Sequence, residues 1–144
     1  MTEHIELMIP GAARSGEPLE VRAPFDNELL ATVDTADAAA VDLALTTAYA
    51  LFRNRKTWLP KAERIEILHN TAALMRTQRD ALATAAAAEG GKPLLDSRVE
   101  VDRAIDGIDN CIECLRTSAG REIPMGVNPA STGRLAMTHH EPVG

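Results

Sequence analysis

Residues 100–115 read Glu-Val-Asp-Arg-Ala-Ile-Asp-Gly-Ile-Asp-Asn-Cys-Ile-Glu-Cys-Leu and carry the clearest structural signal in the chain. Their large apolar residues recur at alternating spacings of four and three, namely Val101, Ile105, Ile108, Ile112 and Leu115. This is the period of one face of an α-helix, and charged residues occupy most of the remaining positions. The stretch therefore predicts an amphipathic helix whose apolar face packs on other elements.

Two more helices are predicted before this one. Thr35 is the expected N-cap of the first, whose apolar face contains Val41, Leu45, Ala48 and Phe52. Pro60 is expected to open the second, because its missing N–H costs nothing in the first turn. A polar run at residues 76–80 is expected to bend or break that helix before an alanine-rich stretch. Gly90-Gly91 and Pro93 then supply a helix stop.

Strand signals lie at the two ends of the chain. Short apolar runs separated by turn residues predict an antiparallel β-meander, with strands at 5–9, 19–22 and 29–33. Residues 121–133 contain prolines and glycines and predict a loop or an extended arm. Residues 134–140 predict a final strand with an unpaired edge, because little sequence follows it. The expected fold class is α/β, with a short N-terminal β-meander, three amphipathic helices and a C-terminal strand.

Composition excludes several classes of function. The 144 residues carry a net charge of −6, which argues against a nucleic-acid partner. No apolar run approaches the roughly 20 residues that span a bilayer, so no membrane partner is expected. Two cysteines and an N-terminus unlike a signal peptide favour a cytoplasmic protein. Alanine supplies 24 residues and the aromatic types only four, which favours helices over a deep core.

Two motifs resemble a phosphate-binding loop and a redox or zinc site, but the residues around them do not support either interpretation. Gly91-Lys92 lacks the other residues of a phosphate-binding loop and follows a helix instead of preceding one, so a helix stop is the favoured interpretation. Cys111 and Cys114 have redox or zinc spacing, but they lie in mid-helix and lack a second ligand pair. They are interpreted as small buried core residues. The chain also contains no nucleophile elbow and no Gly-x-Gly-x-x-Gly fingerprint.

Several short motifs, taken together and in order, resemble the N-terminal third of the aldehyde dehydrogenase superfamily. They include Trp58, the Glu-Arg pair at 63–64, Glu89-Gly-Gly-Lys-Pro93 and Glu141-Pro-Val-Gly144. The start of the main helix, at residues 100–105, looks most like the branch that acts on lactaldehyde or, without phosphorylation, on glyceraldehyde 3-phosphate. The resemblance implies that residues 1–120 belong to a nucleotide-binding domain. It implies that residues 121–144 cross into an oligomerisation arm, and that the chain is an incomplete piece of both.

The same resemblance implies a function for the complete enzyme. Such an enzyme oxidises a small aldehyde to a carboxylic acid with NAD or NADP, and it works as a homo-oligomer. Its catalytic cysteine and glutamate would lie beyond residue 144, so we expect no catalysis and no bound cofactor from this piece. Neither Cys111 nor Cys114 sits in the nucleophile's motif.

The resemblance also implies a site for a monovalent cation. Its ligands would be the side chain of Asp109 and the backbone carbonyls of Val21 and Arg22, oxygen donors that suit a hard cation. An exposed helical aspartate that binds nothing is the alternative. For the chain as a whole the alternative is a freestanding helical interaction module, or a relic without activity, that binds a partner through the face from Val101 to Leu115.

Overall fold

The computed structural model describes residues 3–13 and 16–143. These residues form five short strands and four α-helices: β1 Glu3–Ile5, β2 Leu19–Arg22, β3 Leu29–Val33, α1 Ala38–Arg53, α2 Lys61–Thr77, α3 Arg79–Gly90, α4 Leu94–Thr117, β4 Glu122–Ile123 and β5 Ala136–Met137. Single 3₁₀ turns lie at Arg55–Thr57 and Pro129–Ser131. The predicted α/β class is confirmed. The second predicted helix is divided at Gln78, inside the polar run where a break was expected.

The N-terminal sheet differs from the predicted meander. Its strand order is β1-β3-β2, and β1 pairs with β3 in parallel, placing Glu3 opposite Ala31. Strand β2 is antiparallel to β3, with Leu19 opposite Val33. The connection from β1 to β2 is longer than a tight hairpin, so these two strands are free to lie apart. The apolar β3 takes the central place, while β1 and β2, which carry charged side chains, form the edges.

Local capping explains where the helices begin and end. Asp37, and not Thr35 as predicted, caps α1, since its carboxylate accepts a hydrogen bond of 2.8 Å from the Ala40 N–H. The Thr35 hydroxyl instead donates to the Glu17 carbonyl at 3.0 Å. Helix α3 stops at Gly91, whose φ of 63° lies in the left-handed region that favours glycine. The predicted helix stop at Gly90-Gly91 is confirmed.

The core of the molecule lies where α4 packs on α2 and α3. Its buried apolar residues are Ala72, Ala83, Val101 and Ile105, with Met75, Leu82 and Ile108 packed against them. Because two core positions are alanines, the helix backbones approach closely and the core stays thin. The predicted apolar face of α4 is therefore the main packing surface. Since that face is already covered, it is not free to bind a partner in the way the interaction-module alternative requires.

The predicted apolar face of α1, unlike that of α4, is mostly exposed to solvent. Only Ala40 is buried on this helix, while Leu45 and Tyr49 are 64% and 63% exposed. Val41 and Leu51 are exposed as well. The amphipathic pattern is thus present in α1, but the described residues of the chain do not cover it.

The accessible surface shows the same feature on the scale of the whole chain. It amounts to 11128 Å² for 15.5 kDa. A compact monomer of this mass would expose only about 7,200 Å². The chain therefore exposes more surface than a compact monomer of its mass.

The C-terminal arm is a two-stranded ribbon. Strand β5 pairs antiparallel with β4, with Glu122 opposite Met137. The Thr138 N–H continues the ladder by donating to the Arg121 carbonyl at 2.8 Å. The final strand is therefore shorter than predicted, and it pairs with β4 along one edge, while its other edge has no partner strand among the described residues. The partner strand β4 lies within residues 121–133, which were predicted as a loop or arm, because two residues of strand are too short to produce a periodic signal.

Candidate functional site

The end of the described chain is held by a junction formed by Arg55, Trp58 and Glu141. The Arg55 guanidinium donates two hydrogen bonds to the Glu141 carboxylate, at 3.0 and 2.6 Å. The same guanidinium lies 5.2 Å from the centre of the Trp58 ring, within cation–π distance. Trp58 is itself fixed, because its indole N–H donates to the Phe52 carbonyl at 2.9 Å and the two rings stack with centroids 6.2 Å apart.

A second set of contacts ties the arm to the helices. The Lys61 ammonium donates to the Ser118 carbonyl at 2.8 Å, which connects the start of α2 with the end of α4. The Ser118 hydroxyl lies 3.3 Å from Nδ1 of His140. His140 and Glu141 thus contact the end of α4 and the 3₁₀ turn that follows α1. Gly120 is required between α4 and the arm, because a side chain there would collide with the Thr138 carbonyl.

A polar cleft of about 250 Å³ opens where α2 and α3 meet α4. Arg79 spans it with two hydrogen bonds to Asp102, from Nε and Nη2, both 2.6 Å long. These hydrogen bonds lower the pKa of Asp102 and raise the pKa of Arg79. Asp80 adds a link to α4 through Arg98, at 3.1 Å. The cleft is a set of satisfied ion pairs that hold the helices in register.

The residues of the predicted cation site lie on two different elements. Asp109 is on α4, where its half-exposed carboxylate accepts a hydrogen bond from Arg76 of α2. Val21 and Arg22 end β2, and the register of the sheet shifts between them. Such an irregularity re-aims backbone groups at the point where the two carbonyl ligands are expected. The guanidinium of Arg76, however, already supplies positive charge to Asp109, so a cation there would compete with it.

The cysteines are not core residues. Cys111 and Cys114 are both free and exposed, which contradicts the interpretation that they are buried. The predicted apolar face passes beside them through Ile112, which is 3% exposed. Their positions on the helix are fixed by sequence, but the packing of α2 and α3 on α4 leaves their side open to solvent.

The described residues contain no group of three or more His, Cys, Asp or Glu side chains arranged to hold a metal ion. Lys92, which a phosphate-binding loop would use, pairs with Glu100 of α4. In the described part of the chain, no helix is long and apolar enough to cross a membrane.

Comparison with known proteins is consistent with this description. The sequence profile of the aldehyde dehydrogenase family matches residues 12–144. A 3-sulfolactaldehyde dehydrogenase of Pseudomonas putida is 32% identical over 133 residues, covering 92% of this chain and 26% of that protein. Among solved structures, aldehyde dehydrogenase 21 of Physcomitrella patens, in complex with the product succinate, superposes with a TM-score of 0.84 at 23% identity, covering 95% of this chain and 29% of that one.

A third similar protein belongs to the branch that the sequence resembles, which acts on glyceraldehyde 3-phosphate. Glyceraldehyde-3-phosphate dehydrogenase GapN of Methanocaldococcus jannaschii, complexed with NADP, matches with a TM-score of 0.68 at 26% identity. The match covers 74% of this chain and 23% of GapN. The chain belongs to the aldehyde dehydrogenase family. It spans about a quarter of the length of the curated relatives it matches.

The junction was only partly accessible to sequence reasoning. Trp58 and Glu141 were both singled out by the family resemblance, but their connection through Arg55 was not. Arg55 and Glu141 are separated by 86 positions. Periodicity and spacing report on neighbours within a helix or hairpin, so a contact of this kind carries no local signal.

Proposed function

We propose that this chain is the N-terminal part of an NAD(P)-dependent aldehyde dehydrogenase that oxidises a small aldehyde to a carboxylic acid. By itself it would be non-catalytic and would serve as a scaffold for the rest of the enzyme. The observation that carries the proposal is the uncovered apolar face of α1 in a member of this family. An amphipathic helix is stable in water when its apolar face is covered, and the parts of the enzyme that lie outside these residues would cover it.

The proposal assigns roles to two regions. Residues 1–120 would form the N-terminal part of the nucleotide-binding domain, and residues 121–144 would lead into the oligomerisation arm. The β4–β5 ribbon supports the second role, because it exposes Leu135 and Met137 and a two-stranded sheet is marginal alone. Burial against another copy would stabilise it, in keeping with a homo-oligomer.

NAD or NADP would supply the hydride acceptor in the complete enzyme. This chain would orient the elements around that site without contributing a reacting group. Small polar aldehydes are the favoured substrates, since a curated relative oxidises 3-sulfolactaldehyde and a structural relative is named for glyceraldehyde 3-phosphate. The free, exposed cysteines are compatible with a reducing, cytoplasmic setting.

The monovalent cation at Asp109, Val21 and Arg22 forms a separable part of the proposal. Because Arg76 holds the Asp109 carboxylate, the cation would bind only if this arginine moves aside. A rise in the melting temperature with K⁺ or Na⁺, absent with a large organic cation and absent in Asp109→Asn, would support it. Equal melting temperatures in all three salts would remove it.

Complementation in trans tests the main proposal. The Pseudomonas putida relative would be expressed without the segment that matches this chain, and residues 1–144 would be supplied as a separate polypeptide. The readout is NAD(P)H absorbance after addition of 3-sulfolactaldehyde. We expect this chain to restore activity and to co-purify with the truncated relative.

Three controls make the result decisive. The relative's own segment, supplied in trans, must restore activity. Leu45→Asp, on the exposed apolar face of α1, should abolish co-purification, whereas Thr46→Asp, on the polar side of the same helix, should not. The proposal fails if the relative's own segment restores activity while this chain neither restores it nor binds.

A further inference from the structure

Cys111 and Cys114 form a pair that neither the fold nor the proposed function uses. Both thiols are free and exposed, and they lie three residues apart near the C-terminal end of α4. Residues at this spacing are neighbours on a helix surface. Two exposed thiols side by side on a regular helix therefore constitute a potential bidentate site.

The helix decides which bond the two sulfurs can make. It holds neighbouring Cβ atoms roughly 5–6 Å apart. A disulfide requires Cβ atoms about 3.5–4.5 Å apart, which is closer than this spacing, so its formation would require a local shift of the α4 backbone. An ion bridging the two sulfurs needs a separation of roughly 4–5 Å, given metal–sulfur bonds near 2.3 Å. Rotation of the two side chains reaches this separation without moving the backbone.

The surroundings restrict the kind of ion. The described residues provide no third His, Cys, Asp or Glu that could join the pair around a metal. A structural zinc ion takes four ligands in a tetrahedron, so the pair alone does not satisfy it. Soft thiolate ligands favour soft ions such as Cu(I). Unlike zinc, Cu(I) accepts a two-coordinate, nearly linear environment.

We propose that Cys111 and Cys114 bind one Cu(I) ion between their two thiolates. Each thiol releases its proton to solvent as the copper–sulfur bond forms, and no electron is transferred. This site is independent of the aldehyde chemistry proposed above. It lies next to Ser118, whose contacts with Lys61 and His140 hold the arm. Copper binding would therefore fix the last turn of α4 at the point where the arm departs.

The experiment is a titration of the reduced chain with Cu(I) under argon, in competition with a chromophoric Cu(I) chelator. We expect one Cu(I) per chain, observed also as a single copper adduct of the monomer by native mass spectrometry. Cys111→Ser and Cys114→Ser should each weaken binding at least tenfold, and the double variant should lose it. Zn²⁺ should bind at least a hundredfold more weakly than Cu(I).

Controls distinguish copper bound by the two thiols from copper bound elsewhere on the chain. Blocking both thiols of the unmodified sequence with iodoacetamide should abolish binding without any substitution. Circular dichroism of each serine variant should match that of the original chain, because both positions are exposed. The proposal is overturned if the double variant binds Cu(I) as well as the original chain, which would indicate methionine or histidine ligands. One Cu(I) per two chains, or Zn²⁺ binding of equal strength, would also overturn it.

Discussion

Replacing Ile105 with alanine tests the central feature of the fold, the packing of α4 on α2 and α3. Ile105 is 5% exposed and belongs to the buried cluster with Ala72, Ala83 and Val101. Truncation removes three carbons of apolar side chain and leaves a cavity. Two of the surrounding residues are already alanines, so they have no flexible side chain with which to fill it.

The expected cost follows from this environment. Substitutions of this kind lower the free energy of unfolding by about 2–5 kcal/mol, with higher values at sites that do not collapse. We therefore expect a loss of about 3–4 kcal/mol for Ile105→Ala. Val99→Ala is the matched control, because Val99 is on the same helix but is 43% exposed. Its expected cost is below about 1 kcal/mol, as for most surface substitutions.

Urea unfolding followed by circular dichroism at 222 nm measures both variants. The midpoint should fall for Ile105→Ala while the dependence on urea stays constant, since the same surface is exposed on unfolding. A stabilising osmolyte extends the measurable range if the original chain is only a few kcal/mol stable. Equal costs for the two substitutions would refute the packing described here, because Ile105 would then be no more buried than Val99.

Four further predictions concern single residues. Gly107→Ala should stabilise the chain by about 1 kcal/mol in thermal melts, because the new methyl group on α4 meets nothing within 4 Å. Gly120→Ala should increase hydrogen exchange throughout the arm, because the new methyl group would collide with the Thr138 carbonyl. Ser97→Ala should raise stability by about 1 kcal/mol in urea unfolding, since the buried Ser97 hydroxyl has no hydrogen-bond partner among the described residues; a loss of stability would reveal a bound water. Hydrogen bonds from Arg79 lower the pKa of Asp102 in the folded state. The free energy of unfolding of the original chain should therefore fall as the pH drops below about 4. The Asp102→Asn variant should show a smaller fall over the same pH range.

The sequence alone determined the elements that depend on local pattern. The apolar period of residues 101–115 predicted α4 and its buried face, and the glycine and proline at 91 and 93 predicted the boundary before it. The ordered motifs of the aldehyde dehydrogenase family could also be recognised, because family resemblance is a property of the sequence itself. Each of these features arises from residues that are close together along the chain, so their consequences do not depend on the rest of the fold.

The coverage of these surfaces and the contacts between distant residues depend on how the helices and strands pack in three dimensions. Periodicity marked both α1 and α4 as amphipathic, yet α4 is packed and the apolar side of α1 is exposed. The sequence pattern also did not predict three further features. These are the parallel pairing of β1 with β3, the exposure of the two cysteines, and the contact between Arg55 and Glu141. Burial and pairing depend on what lies opposite a residue in space, and a pattern along one helix or strand contains no information about its neighbour.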